Sequence, residues 1–306
     1  RSFGGHEYRH LDNGSREIVM PEQFGFIGLG QMGGPMAGNI AANGFPLTVY
    51  DKAGTQGLAP EGAELGADAA YVARIADTVF LSVPDGEVSL IVVNEIIASV
   101  DRRTSVIIDL STIGPAAARE ANARCKAAGI TYIDAPVSGG QAGARAGTIT
   151  IMLAGPKAVV DLHQDVLSGF TKNLFHVGEE AGQGQAVKIL NNFLSGTAMV
   201  ASTEAVLYGL SQGIDMKTIL DVVNVSTGQN TATADKFPRR ILTETFDAGF
   251  ATALLTKDVN LFVDNAREAG TPTKIAEAIT EVWDKTNDAL PGSDITMVYR
   301  HLRDEA

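Results

Sequence analysis

Phe24-Gly25-Phe26-Ile27-Gly28-Leu29-Gly30-Gln31-Met32-Gly33 is the stretch that decides the fold. Its first four residues read as a buried strand, and they run directly into Gly-x-Gly-x-x-Gly. Pro35–Asn43 reads as a helix that Gly44 breaks, and Leu47-Thr48-Val49-Tyr50-Asp51 reads as a second strand. That strand ends on an acid eighteen residues after Gly33. Strand, glycine loop, helix and strand in this order point to a dinucleotide site. Glycines permit a tight turn and close approach of backbone to a pyrophosphate, which the helix N-terminus then holds through its N–H groups. Gly28, Leu29, Gly30, Gln31, Met32 and Gly33 are therefore expected to line a cofactor; the competing reading is a glycine-rich turn without a ligand. Asp51 should accept hydrogen bonds from an adenosine ribose and repel a 2′-phosphate, so NAD is expected over NADP. Lys52 beside it leaves room for NADP, and a strand-ending acid facing water is the simpler alternative.

Outward from this core, Thr78–Asp85 and Ser105–Thr112 contain two more apolar strands. Both are too continuous to be half-exposed, which suits a parallel sheet covered on both faces. In open α/β sheets the ligand lies past the carboxyl ends of the strands. That puts Val83, Pro84, Ser111 and Thr112 beside the nicotinamide half of a cofactor, unless they serve only as turn and capping residues. Tyr132–Val137 reads as a further strand, followed by Ser138-Gly139-Gly140 and then the strand Thr148–Ala154. Consecutive glycines can turn successive N–H groups toward one point and make a small anion site suited to a carboxylate. A flexible hairpin loop explains the same residues.

Gly182-Gln183-Gly184-Gln185-Ala186-Val187-Lys188-Ile189-Leu190-Asn191-Asn192 opens an apolar run that continues without proline to about Gln212. It reads as a helix of roughly eight turns, apolar almost all round and therefore buried. Lys188 and Asn192, four apart, share one face. A lysine there must snorkel to the surface, meet a carboxylate, or hold a functional position. Beyond Gly213 the pattern is helical: Met216–Val225, Lys257–Ala269, Thr273–Asp288 with Trp283 as core, and Ile295–Arg303.

Composition bounds the function. The formal charge of −12 argues against nucleic acid and anionic membranes as partners. No apolar run reaches the ~18 residues of a membrane span. The single cysteine, Cys125, makes no intrachain disulfide, which fits a reducing cytoplasm. Five scattered histidines offer no spacing for a metal site. Residues 1–19 show no apolar period and read as a leader or disordered tail, with Met20 as a natural start.

Four motifs in order carry a family resemblance. Phe26–Ala37 resembles the cofactor signature of the β-hydroxyacid dehydrogenases, Asp134–Gly140 their substrate signature, and Gly182–Asn192 their catalytic signature. Lys257-Asp258-Val259-Asn260-Leu261 resembles their lysine–aspartate motif. The resemblance spans about residue 24 to the C-terminus. It is strongest to the 3-hydroxyisobutyrate dehydrogenases and the serine and phenylserine dehydrogenases near them. It implies an α/β fold: a Rossmann-type, mostly parallel sheet domain over 20–181, then an all-α domain over 182–306, linked by the long helix. It also implies an NAD-dependent enzyme that interconverts a small β-hydroxy acid and its semialdehyde. Lys188 would exchange the hydroxyl proton, Ser138, Gly139 and Gly140 would hold the carboxylate, and Asn192 and Asn191 would orient the substrate. Lys257 would lie near the nicotinamide, with Asp258 fixing it or packing in its own domain. A homodimer or homotetramer is expected. Threonate or glycerate (tartronate semialdehyde) chemistry is the alternative within the family. Non-catalytic relatives and imine reductases lack the lysine that stands here at 188.

Overall fold

The computed structural model describes residues 22–305. The expected leader over 1–19 lies outside the described residues. Nine strands form one sheet: β1 (Phe24–Ile27), β2 (Leu47–Tyr50), β3 (Glu64–Leu65), β4 (Thr78–Leu81), β5 (Val106–Asp109), β6 (Thr131–Asp134), β7 (Val137–Ser138), β8 (Ile149–Ala154) and β9 (Thr171–Gly178). Their order is β3-β2-β1-β4-β5-β6-β8-β7, with β9 also paired to β8. Strands β1 to β6 are mutually parallel, as continuous apolar strands require. β8 runs antiparallel to β6 and β7, and β9 runs parallel to β8, so these two point against the rest of the sheet.

Alternation along each strand feeds two cores. Phe24, Phe26, Phe80, Ile108 and Ile133 face one side with Met36 and Ile40 of the helix Gly33–Ala42. Ile27, Val79, Leu81, Ile107 and Tyr132 face the other with Val72, Val93 and the buried Cys125. A Cβ at Gly30 would meet nothing within 4 Å, whereas one at Gly28, where φ is +96°, would collide with the Ser82 carbonyl. The loop is thus tight underneath and open above.

The long helix spans Gln183–Ser211 and joins the sheet to a helical region. Its first turn lies on β6 and β8; the remainder packs on the helices Thr252–Glu268, Lys274–Ala289 and Val298–Glu305. Fully buried Trp283 centres this third core with Met199, Val259 and Phe237.

Several expectations need correction. The long helix is not buried all round: Leu190, Leu194 and Tyr208 are 40%, 60% and 69% exposed, because the sheet and the later helices cover only part of its circumference. The strand expected over Tyr132–Val137 stops at Asp134, and Val137–Ser138 forms a separate short strand that pairs with β8. Residues after Gly140 form the helix Gly140–Ala146, not a flexible hairpin. The helix carrying Lys257 starts earlier, at Thr252. Ala232–Ile241 is a π-helix containing Pro238, a geometry that no 3.6-residue period announces.

Candidate active site

Four strand ends converge on one crevice. The glycine loop follows β1, Asp51 follows β2, Val83 and Pro84 follow β4, and Thr112 follows β5, all on neighbouring parallel strands. Asp51 Oδ2 accepts from the Leu29 N–H at 2.6 Å and Oδ1 from the Ala53 N–H at 2.7 Å. The acid thereby ties the loop to β2, and each carboxylate oxygen keeps a lone pair for another donor. The first turn of the helix Gly33–Ala42 receives no side-chain cap. Open space at Gly30 and a carboxylate at the end of β2 fit a dinucleotide, with the pyrophosphate over the loop and the ribose at Asp51.

Ser111 Oγ accepts from the Val83 N–H at 2.8 Å, which locks the ends of β4 and β5 together. Lys257 reaches across from the helical region. Its Nζ donates to the Thr112 carbonyl at 2.6 Å and stands 3.4 Å from the Pro84 carbonyl. Val83, Pro84, Thr112 and Lys257, singled out separately in the sequence, therefore meet.

Lys188 is only 8% exposed. It sits in the second turn of the long helix, and its Nζ makes a long hydrogen bond of 3.4 Å to Asn192 Oδ1. Asn191 Nδ2 donates to the same oxygen at 3.2 Å, and Asn192 Nδ2 donates to Asp258 Oδ2 at 2.6 Å. Lys257 Nζ lies 3.3 Å from the other carboxylate oxygen, within charge attraction but without a hydrogen bond. Burial pushes the Lys188 ammonium below its ordinary pKa; attraction to Asp258 opposes this and repulsion from Lys257 adds to it. A buried amine of lowered pKa can accept a proton.

Ser138 closes β7, and Gly139 and Gly140 follow with φ of +136° and +63° at the start of the next helix. No hydrogen bond joins these three to Lys188 among the described residues. Asp258, expected to fix Lys257 or to pack in its own domain, lies against Lys257 and also accepts from Asn192, a contact the sequence did not announce. Sequence reasoning missed two contributors. Asp134 and Gln185 stand inside the quoted motifs, yet both are buried and share a hydrogen bond of 2.8 Å. Their signal was polarity inside otherwise apolar or glycine-rich segments. Among the described residues no group of three or more His, Cys, Asp or Glu could hold a metal ion, and no helix is long and apolar enough to cross a membrane.

Residues 23–178 match the family model for the NAD binding domain of 6-phosphogluconate dehydrogenase. Residues 182–302 match the model for NAD-binding of NADP-dependent 3-hydroxyisobutyrate dehydrogenase. The chain belongs to the β-hydroxyacid dehydrogenase family. This β-hydroxyacid dehydrogenase is 34% identical over 266 residues to 2-(hydroxymethyl)glutarate dehydrogenase of Eubacterium barkeri, covering 86% of this chain and 88% of that protein. It is 33% identical over 292 residues to 3-hydroxyisobutyrate dehydrogenase of Pseudomonas aeruginosa, covering 90% and 97%. The solved Mycobacterium tuberculosis 3-hydroxyisobutyrate dehydrogenase with L-serine superposes with a TM-score of 0.86 at 30% identity, over 93% of this chain and 100% of that one. The protein is an NAD(P)-dependent dehydrogenase.

Proposed function

We propose that this dehydrogenase interconverts a small 3-hydroxy acid and its semialdehyde, prefers NAD, and uses Lys188 as general base and acid. The observation that carries the proposal is the buried Lys188 amine beside Asn192, with its pKa lowered. NAD, when bound at the glycine loop and Asp51, would supply the acceptor for a hydride from the carbinol carbon. Neutral Lys188 takes the hydroxyl proton during oxidation and returns it during reduction. Asn192 spends one amide N–H on Asp258, and the second is left to donate to the substrate oxygen. Asn191 holds Asn192 in that orientation. Ser138, Gly139 and Gly140 take the substrate carboxylate, with the hydroxyl of Ser138 and the N–H groups of the glycine turn as donors. Lys257, held by the Thr112 and Pro84 carbonyls, would lie near the nicotinamide.

In this reading the chain works as a cofactor domain over 20–181 and a helical substrate domain over 182–306. Exposed Leu190, Leu194 and Tyr208 support assembly into a homodimer or homotetramer, measurable by sedimentation velocity. Within the substrate class, the L-serine of the M. tuberculosis relative makes β-hydroxy amino acids the competitor to simple hydroxy acids. NADH formation measured with 3-hydroxyisobutyrate, 3-hydroxypropionate, serine, glycerate, threonate and 4-hydroxybutyrate separates them. Lys188→Ala should lower kcat by roughly 10²–10⁴-fold, the range for lost acid–base catalysis. Its NAD dissociation constant should stay near wild type. Lys188→Arg should not rescue it, because guanidinium stays protonated. A Lys188→Ala enzyme with kcat within about threefold of wild type would sink the mechanism, since the acid–base term it removes is far larger.

A further inference from the structure

Below the proposed proton carrier lies a buried polar node that the chemistry above does not use. Gln185 is fully buried one turn before Lys188 on the long helix. Its Oε1 accepts from the Ile113 N–H at 2.9 Å and the Gly114 N–H at 3.1 Å. Its Nε2 donates to the Ser111 carbonyl at 2.9 Å and to Asp134 Oδ1 at 2.8 Å. Asp134 Oδ2 in turn accepts from the Gly182 N–H at 2.9 Å and the Gln185 N–H at 3.1 Å. The amide of Gln185 thus makes all four hydrogen bonds available to it.

The node joins three segments that the proposed reaction needs in register. Ser111–Gly114 follows β5 and contains Thr112, which receives Lys257. Asp134 ends β6, four residues before Ser138. Gly182 and Gln185 open the helix that carries Lys188 and Asn192. A buried side chain bonded to neighbours on three elements resists sliding of any one, because each displacement strands a polar group away from water. A carboxylate at the helix N-terminus also suits the partial positive charge there.

We propose that Asp134 and Gln185 are positioning residues: together they clasp the first turn of the long helix to the ends of β5 and β6 and so set where Lys188 stands relative to Thr112 and Ser138. The proposal rests on Lys188 being the proton carrier. Burial pushes the Asp134 carboxyl up to about 6 against the hydrogen bonds from Gln185 and Gly182, which marks the node as costly to keep and sensitive to the loss of a donor.

Kinetics of Gln185→Ala, Lys188→Ala and the double variant test it. With the clasp open, a displacement near 1 Å should cost Gln185→Ala on the order of 10²-fold in kcat, with KM moving far less. The NAD dissociation constant should hold within about twofold, since the glycine loop and Asp51 lie elsewhere. On the Lys188→Ala background the same substitution should add nothing, because it acts through the group already removed. A kcat for Gln185→Ala within about threefold of wild type overturns the proposal, against the far larger loss a 1 Å displacement brings. So does a loss that multiplies with that of Lys188→Ala, which would mark a general structural fault. If Gln185→Ala does not fold, Asp134→Asn, which keeps the side chain's shape, is paired with Lys188→Ala and read in the same way. Near-normal kcat in Lys188→Ala alone would instead overturn the proton-carrier reading, whatever Gln185→Ala does.

Discussion

Gly184→Ala is the smallest change that should move the catalytic helix without touching the reacting groups. Gly184 is buried in the first turn of the long helix, four residues before Lys188. A Cβ there would lie 2.5 Å from the Met152 carbonyl oxygen and 3.1 Å from both the carbonyl oxygen and Oδ2 of Asp134. Ordinary contact begins near 3.4 Å, so the helix must retreat by about 0.9 Å, the difference between 3.4 and 2.5. None of the three obstacles yields easily: two are strand backbone, and the third is a carboxylate held by Gly182 and Gln185. Overpacking of this kind costs ~1–3 kcal/mol. Alanine returns roughly 1 kcal/mol through helix propensity, leaving a net loss of about 0–2 kcal/mol in stability. The rate should suffer more. Lys188 lies one turn further along the displaced helix, and a misplacement near 1 Å costs on the order of 10²-fold in turnover. Steady-state kcat and KM with the best hydroxy acid, NAD titration by fluorescence, and thermal melting on one preparation give the three readouts. The expected pattern is a collapsed kcat, an unchanged NAD dissociation constant and a slightly lowered Tm. A variant that melts at or above the wild-type temperature and turns over within about threefold of it would show that the first turn has slack, contrary to the ~10²-fold penalty expected for a 1 Å shift.

Two further perturbations test the charges. Oxidation should rise with pH through the lowered pKa of Lys188, since only the neutral amine accepts a proton. Asp258→Asn removes an attraction that holds the proton on, so that rise should move to lower pH; Lys257→Met removes a repulsion and should move it to higher pH. Shifts of the same sign in both variants would contradict the electrostatic account. Asp51→Ser should narrow or reverse the NAD preference, because it deletes the charge that opposes a 2′-phosphate. It also removes the bond to the Leu29 N–H, so some loss of NAD affinity should accompany it. Better use of NADP by the unmodified enzyme would refute the role given to Asp51.

The elements legible in the sequence are those whose signal is local. β1, β4 and β5 are buried on both faces, so their apolar runs are unbroken, and the loop after β1 needs glycine at Gly28 for reasons of backbone alone. β9 escaped because it is covered on one side only: Lys172, Asn173 and Phe175 are exposed, and polar residues interrupt the pattern. The π-helix escaped because its spacing follows no helical period used for reading sequence. Exposure of Leu190 and Leu194 could not be read either, since which side of a helix is covered depends on how distant segments pack. The site divides the same way. Lys188 and Asn192 are one turn apart and visible as a pair, whereas the bond from Asn192 to Asp258 spans 66 residues and exists only once two helices have met.

That long-range bond also explains how a lysine can be buried and still titrate. An ammonium taken out of water without a partner would be held off by its desolvation cost; with a dedicated carboxylate beside it, it would stay charged through the neutral range. The structure does neither. Asp258 is hydrogen-bonded to Asn192 and acts on Lys188 as a charge, and the same carboxylate faces Lys257 at 3.3 Å. Two cations therefore share one anion. Lys188 is the deeper of the two, while Lys257 keeps the Thr112 carbonyl as a partner and is more exposed. Asn192 is what makes this arrangement specific. A carboxylate at its position would pair with Lys188 directly and fix the charge, while an apolar residue would strand both the amine and Asp258. An amide accepts from the lysine whether or not a proton is exchanged, donates one N–H to Asp258, and keeps a second N–H, which the proposed function gives to the substrate oxygen. The polar residues that look interchangeable in the motif thus hold separate tasks, each fixed by the number of donors it has left.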